Sequence, residues 1–159
     1  MRRFEPTDAR FVIDLHHAGL HQMGAHVGSG PWDADVEDIQ HHYVDSGGEF
    51  LVGMLGDELV AMGGILPVAD ERHCADLCRL RVVEQAQGNG YGTEIVRELE
   101  ARAIELGFTV LTAHTSTVQV PSQRLLAGSG FFETHRRTVR GPDGQVDAIF
   151  YAKDIEAGA

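Results

Sequence analysis

Lysine is all but missing from this chain. Lys153 is the only one, arginine supplies the rest of the positive charge, and 24 acidic residues leave a formal net charge of −11. A chain this acidic lacks the basic footprint that nucleic-acid binding requires. Its charge also disfavours an anionic membrane surface and would steer cationic partners toward it. Cysteine is scarce as well, with only Cys74 and Cys78 present. They fall on a predicted strand, where a spacing of four residues separates them by roughly 13 Å, too far for a disulfide. Two free thiols suit a reducing cytosol, so a cytoplasmic location is expected. No apolar run approaches the length of a membrane span, and the opening residues, MRRFEP, do not read as a signal peptide. Internal repeats and linker-like stretches are also absent. With 159 residues and 43% apolar content, the chain is expected to form a single domain over residues 1–159.

The most informative stretch is 77–93, LCRLRVVEQAQGNGYGT. Leu77, Leu80, Val82 and Val83 read as a strand. A helical pattern begins just beyond the glycines, with Ile95, Leu99, Arg102 and Leu106 at spacings of four, three and four. Gly88, Gly90 and Gly92 therefore stand where a strand hands over to a helix. Glycine tolerates positive φ and lets another molecule approach the main chain. The first amides of a helix lack internal partners and carry the positive end of its dipole. Together they form an anion site suited to a phosphate or pyrophosphate. No lysine follows the glycines, which excludes a P-loop, and the third glycine falls one place early for the dinucleotide fingerprint G-x-G-x-x-G. A nicotinamide-dinucleotide enzyme is thus the weaker alternative.

The remaining elements follow from periodicity and turn chemistry. A short strand is expected at 2–5 and a helix at 9–23, with Phe11 or Val12 and Leu15 facing inward. A second helix, capped by Asp33 or Asp35, would bury Val36, Ile39 and Tyr43. Apolar runs at 50–55 and 59–66 flank Gly56-Asp57-Glu58 and predict a hairpin. Within it, Gly63-Gly64 suggests a bulge or a close packing partner. A strand at 108–115, a helix at 122–127 behind Pro121, and strands at 131–139 and 146–152 joined by Gly141-Pro142-Asp143-Gly144 complete the order. Residues 155–159 are expected to fray.

Gln87-Gly88-Asn89-Gly90-Tyr91-Gly92 fits Q/R-x-x-G-x-G, the signature of the GCN5-related N-acetyltransferase (GNAT) superfamily. The strand before it, the strand and helix after it, and the later Gly130-Phe131 extend the resemblance over about residues 50–150. That resemblance implies an α/β chain of the α+β type with a GNAT fold. Its central sheet would be mixed, mostly antiparallel, of six to seven strands flanked by about four helices. It further implies acetyl-CoA as co-substrate and transfer of the acetyl group to a primary amine of a small molecule or peptide. A homodimer is compatible with it, and no metal is needed.

The same resemblance suggests roles for particular residues. Amides of Gln87, Gly88, Asn89, Gly90, Tyr91, Gly92 and Thr93 would hold the pyrophosphate. Backbone groups near Leu80 and Val82 would pair with the pantetheine arm, and Gln119 and Ser122 would stand beside it. Asp76 matches the position of a catalytic glutamate in the histone-acetylating branch, and His114, on the neighbouring strand, is the second candidate base. His26 and Trp32, between the first two helices, fall in the region that walls the acceptor pocket. The chain departs from the family at Leu126, which stands where many members carry the tyrosine that protonates the leaving thiolate. An acyl-CoA binding or sensor module with little turnover is therefore the alternative to an enzyme. His16, His17, His21, His41 and His42 lack a recognised zinc spacing and are expected on helix surfaces.

Overall fold

The computed structural model describes residues 1–22, 33–141 and 144–156. In chain order the elements are β1 (Arg2–Arg3), α1 (Ala9–Gln22), α2 (Ala34–Glu37), β2 (Glu49–Leu55), β3 (Glu58–Pro67) and β4 (Cys74–Val82). They continue with α3 (Tyr91–Glu105), β5 (Val110–Ser116), α4 (Val120–Gly128), β6 (Phe132–Gly141) and β7 (Gly144–Asp154). The strands form one seven-stranded sheet in the order β1-β2-β3-β4-β5-β7-β6. Neighbours run antiparallel except β4 and β5, which run parallel. This is the mixed, mostly antiparallel α+β architecture expected from the sequence. Among the described residues no helix is long and apolar enough to cross a membrane.

Each face of the sheet buries its own core. On one face lie Leu51, Ile65, Leu77 and Leu111 with the inner side of α3. That side is Ile95, Val96, Leu99 and Ala103, while Leu106 caps the helix half-exposed. Arg102, which shares the helical spacing, bonds Glu49 at the margin of the apolar stripe. On the other face, α1 and the segment after it cover the sheet with Val12, Leu15, Val36, Ile39 and Tyr43. Val12 takes the inward position and Phe11 is exposed. The expected second helix is broken into α2 and a turn of π-helix at Gln40–Val44, yet its three apolar residues are all buried.

Gly64 in β3 makes this second core possible, while Gly63 faces Leu99 and Leu80 of the first. A Cβ on Gly64 would stand 2.6 Å from the Tyr43 ring and 2.7 Å from that of Phe50, so the close packing read from Gly63-Gly64 is present. The rings themselves meet edge-to-face, with centroids 5.0 Å apart. Glu49 is buried between Arg3 (2.8 Å) and Arg102 (2.7 Å). Burial alone would raise its carboxyl, but hydrogen bonds from Arg3, Arg102 and the Phe50 amide outweigh that and hold it below the usual value.

At two places the structure corrects the local reading. Ile155 does not fray: its amide donates to the Thr109 carbonyl at 2.8 Å and its side chain is buried in the first core. An apolar residue next to a strand end follows the available core, which residue-by-residue patterning does not register. His16, expected on a helix surface, is fully buried, with Nε2 2.7 Å from Asp33 Oδ1.

Candidate active site

The site is built where β4 and β5 part. They pair only from Cys74↔Val110 to Asp76↔Thr112, after which β5 stays with β7 and β4 stays with β3. Divergence coincides with a bulge. Cys78 pairs with Gly64 and Arg81 with Met62, so Arg79 and Leu80 together oppose the single residue Gly63. Arg79 adopts φ 55° to make this possible. A bidentate pair with Asp35 (2.7 and 2.8 Å) secures it, and the Tyr43 hydroxyl also donates to Asp35.

Beyond the bulge, Arg81 and Val83 face β3, Val83 donating to Val60. Alternation turns the main-chain groups of Leu80 and Val82 the other way, toward the edge that β5 has left. Both of their carbonyls take side-chain donors. Arg81 Nη1 reaches the Leu80 oxygen at 2.9 Å and Gln87 Nε2 reaches the Val82 oxygen at 3.0 Å. An edge bonded by mobile side chains rather than by a strand can exchange them for an extended ligand.

The glycine turn closes one end of this opening. Gly88 (φ 81°) and Gly90 (φ 85°) are left-handed, and Gly90 is the N-cap of α3. A Cβ on either would meet nothing within 4 Å. Both positions therefore need glycine for backbone conformation while facing open space. The first turn of α3, whose amides have no partner within the helix, lines a cavity of about 470 Å³. Of the residues expected to hold the cofactor, Gln87, Gly88, Gly90, Tyr91, Gly92 and Thr93 line it from the turn. Leu80 and Val82 line it from the strand, and Gln119 and Ser122 from α4 and its cap. Asn89 is the exception. Its side chain turns back to the Ala86 carbonyl at 3.1 Å and braces the turn.

Asp76 and His114 lie at the apex of the opening, outside the cavity lining. Asp76 is the last β4 residue paired with β5, and its Oδ1 accepts from Thr112 Oγ1 at 2.8 Å. Burial raises the Asp76 carboxyl above its usual value, with Thr112, His114 and Cys78 opposing. His114, two residues further along β5 from Thr112, is exposed and stacks on Phe150 at 5.4 Å. The two candidate bases thus share a corner of one sheet face. Cys74 and Cys78 are both free thiols, and Cys78 is pushed well up by burial beside Asp76.

Two expected site residues, His26 and Trp32, lie outside the described residues. Leu126 is not at the cavity. It is buried in the first core, and Leu125 lines the cavity in its place. A helix turns each residue by about 100° relative to the last, so a shift of one position changes the face. Arg81 went unremarked in the sequence because strict alternation would have put it on the same face as Leu77. His16, His17 and Asp33 gather with ligand atoms within 4.8 Å of one another. Burial lowers the His16 ring's pKa, against the Asp33 hydrogen bond, and Arg79 and Arg81 add to the lowering.

Residues 18–131 match the family model described as the acetyltransferase (GNAT) family. Rat (Rattus norvegicus) N-acetyltransferase 8F1 is 34% identical over 106 residues, covering 65% of this chain and 48% of that one. Rat N-acetyltransferase 8B is 34% identical over 104 residues, covering 63% and 47%. The chain thus spans about half the length of the curated relatives it matches. Among solved structures, a GNAT-family acetyltransferase of Staphylococcus aureus superposes with TM-score 0.83 at 16% identity, covering 96% of both chains. The yncA protein of Salmonella typhimurium, solved with its cofactor acetyl-CoA, superposes with TM-score 0.78 at 19% identity, covering 99% of this chain and 94% of that one. These two likenesses establish the fold.

Proposed function

The chain belongs to the GNAT acetyltransferase family, and from that premise we propose that residues 1–159 act as one domain transferring the acetyl group of acetyl-CoA to a primary amine of a small molecule or peptide. The observation that carries this reading is the joining of two features in one cavity. One is the left-handed glycine turn at the N-terminus of α3, and the other is the unpaired β4 edge at Leu80 and Val82. An anion site and an open strand edge match the two ends of a ligand that carries a pyrophosphate and an amide-bearing arm. The acetyl-CoA in the Salmonella protein supports the same assignment.

In this reading the acceptor amine attacks the thioester carbonyl carbon at the parting of β4 and β5. The C–N bond forms, the C–S bond breaks, and the amine loses a proton. Asp76 takes that proton, directly or through water, or His114 does. Burial at Asp76 favours the role, since a carboxylate with a raised pKa is a stronger base. The main-chain amide of Leu80, turned to the open edge, is suited to hold the developing oxyanion. Ser122, on the cavity wall, can relay a proton to the thiolate, a role that Leu126 cannot fill from the core.

The alternative, an acyl-CoA binding module with little turnover, draws on the absence of an acid at Leu126. Release of CoA thiol from acetyl-CoA in the presence of an amine panel tests the proposal. Turnover with at least one amine is expected. Tight acetyl-CoA binding with no turnover across polyamines, amino acids, aminoglycosides and peptide N-termini would favour the binding module.

A further inference from the structure

Among the described residues Arg81 is the one guanidinium lining the cavity, and it is poorly satisfied. Its Nε is buried with no hydrogen-bond partner, and among the described residues its only bond is from Nη1 to the neighbouring Leu80 carbonyl. Among the described residues no carboxylate forms an ion pair with it, the nearby pair being that of Arg79 with Asp35. Asp35, the acid bound to nearby Arg79, is already taken in bidentate fashion. Burial, with Arg79 adding to the effect, pulls the Arg81 pKa down to about 10, so it still carries its charge at neutral pH. A buried Nε left without an acceptor is costly to a fold and calls for a partner such as a water or a ligand.

Its position makes that something specific. The bulge at Arg79–Leu80 sends Leu80 and Val82 toward the first core and so turns Arg81 to the opposite face. That is the face of Cys78, Val83 and α1, and it carries the Asp76–Thr112 pair as well. On β3, the partners of Asp76 and Arg81 are Leu66 and Met62, four residues apart, which puts the two β4 positions roughly 13 Å apart along the strand. Between them on the same face stands Cys78, whose thiol lies 3.6 Å from Asp76 Oδ2. The guanidinium lies over the Leu80 carbonyl, at the open edge where the proposed transfer occurs.

We propose that Arg81 is the carboxylate receptor of the acceptor subsite, and that the acceptors are therefore α-amino acids or close relatives in which a carboxylate neighbours the reacting amine. The inference rests on the amine-acetylation reading. The acceptor carboxylate takes the place of the Leu80 oxygen as partner of the guanidinium and satisfies Nε through a bidentate pair. This frees the Leu80 edge for the acyl donor and points the α-amine toward Asp76. It also runs against the expectation from net charge, because recognition in a desolvated pocket follows the nearest buried charge rather than the long-range field.

The test compares L-amino acids with their amides and their decarboxylated amines as acceptors, in the wild type and in Arg81→Gln and Arg81→Lys. In the wild type, kcat/KM for acids should exceed that for the matching amides by at least about 30-fold. Arg81→Gln should collapse that acid-over-amide ratio to near one, mainly through KM for the acids. Arg81→Lys should restore it only in part, since an ammonium cannot make the bidentate pair. Amides or simple amines used as well as acids by the wild type would overturn the proposal. So would an Arg81→Gln variant that loses all acceptors equally, which would mean that Arg81 serves the acyl donor. If no amine at all is acetylated, the function reading fails separately. Calorimetry with N-acetyl-L-amino acids and their amides then decides for Arg81: acid-selective binding lost in Arg81→Gln supports the receptor, and its absence refutes it.

Discussion

Replacing Gly90 by alanine separates the conformational role of the glycine turn from its role in binding. Gly90 has φ 85° and a Cβ there would meet no atom within 4 Å, so the folded chain without ligand suffers only the left-handed strain of an L-residue. That strain is about 1–2 kcal/mol. The same methyl group would stand in the open space of the cavity, at the N-terminus of α3, where the pyrophosphate of acetyl-CoA is proposed to sit. Loss of one hydrogen bond between an amide and a charged oxygen is worth about 1.5–3 kcal/mol, so the dissociation constant should rise about 10- to 150-fold. Gly107→Ala is the matched control. Its φ is 92° and its Cβ also meets nothing within 4 Å, but it follows the far end of α3. The two variants should lose similar thermal stability, and only Gly90→Ala should weaken acetyl-CoA binding by calorimetry. A folded Gly90→Ala protein that binds like the wild type refutes the phosphate assignment. Equal weakening in Gly107→Ala would trace the loss to the helix rather than to the turn.

Asp76→Asn should lower kcat/KM by about 10²–10⁴, with His114→Gln as the competing assignment. Because burial raises the Asp76 pKa and a base works deprotonated, wild-type activity should fall on the acid side at a pH above the ordinary aspartate value of 3.8, and that limb should vanish in Asp76→Asn. Glu49→Gln should cost about 1.5–3 kcal/mol at neutral pH. The Glu49 pKa is lowered on folding, so its contribution is present above the unfolded value of about 4.5 and is lost as pH falls through the folded one. Melting curves of the two proteins should therefore converge in acid, and a gap that persists unchanged there would contradict the ion-pair account. Leu126→Tyr should destabilise the chain by about 1–3 kcal/mol without raising kcat, because the ring would overpack the core rather than face the thiolate. A stable Leu126→Tyr variant with faster turnover would mean that this position reaches the cofactor after all.

Much of the fold was legible because its signals are local. The hairpin of β2 and β3, the strand–turn–helix of β4 and α3, and Pro121 in the first turn of α4 each follow from a few neighbouring residues. The glycine turn belongs with them: a positive φ at Gly88 and Gly90 is a property of single residues, and the helix that follows supplies the amides. Apart from the broken second helix, the places where patterning failed involve a choice of face. Ile155, His16 and Leu126 are buried, although their immediate neighbours give no reason to expect it. Each is drawn in by a surface made of residues distant in the chain.

The sequence by itself determined the order of strands and helices, the glycine turn and the resemblance to acetyltransferases, because periodicity and glycine placement act within one or two turns of chain. Only the tertiary structure decided what that turn is joined to. The parting of β4 from β5 depends on how far two parallel strands keep register, which neither strand states alone. The bulge at Arg79 and Leu80 depends on Asp35, 44 residues earlier, being present to hold the guanidinium. One extra residue in that strand reverses the facing of everything after it. That reversal puts Arg81 on the face of Cys78 and Val83 rather than on that of Leu77.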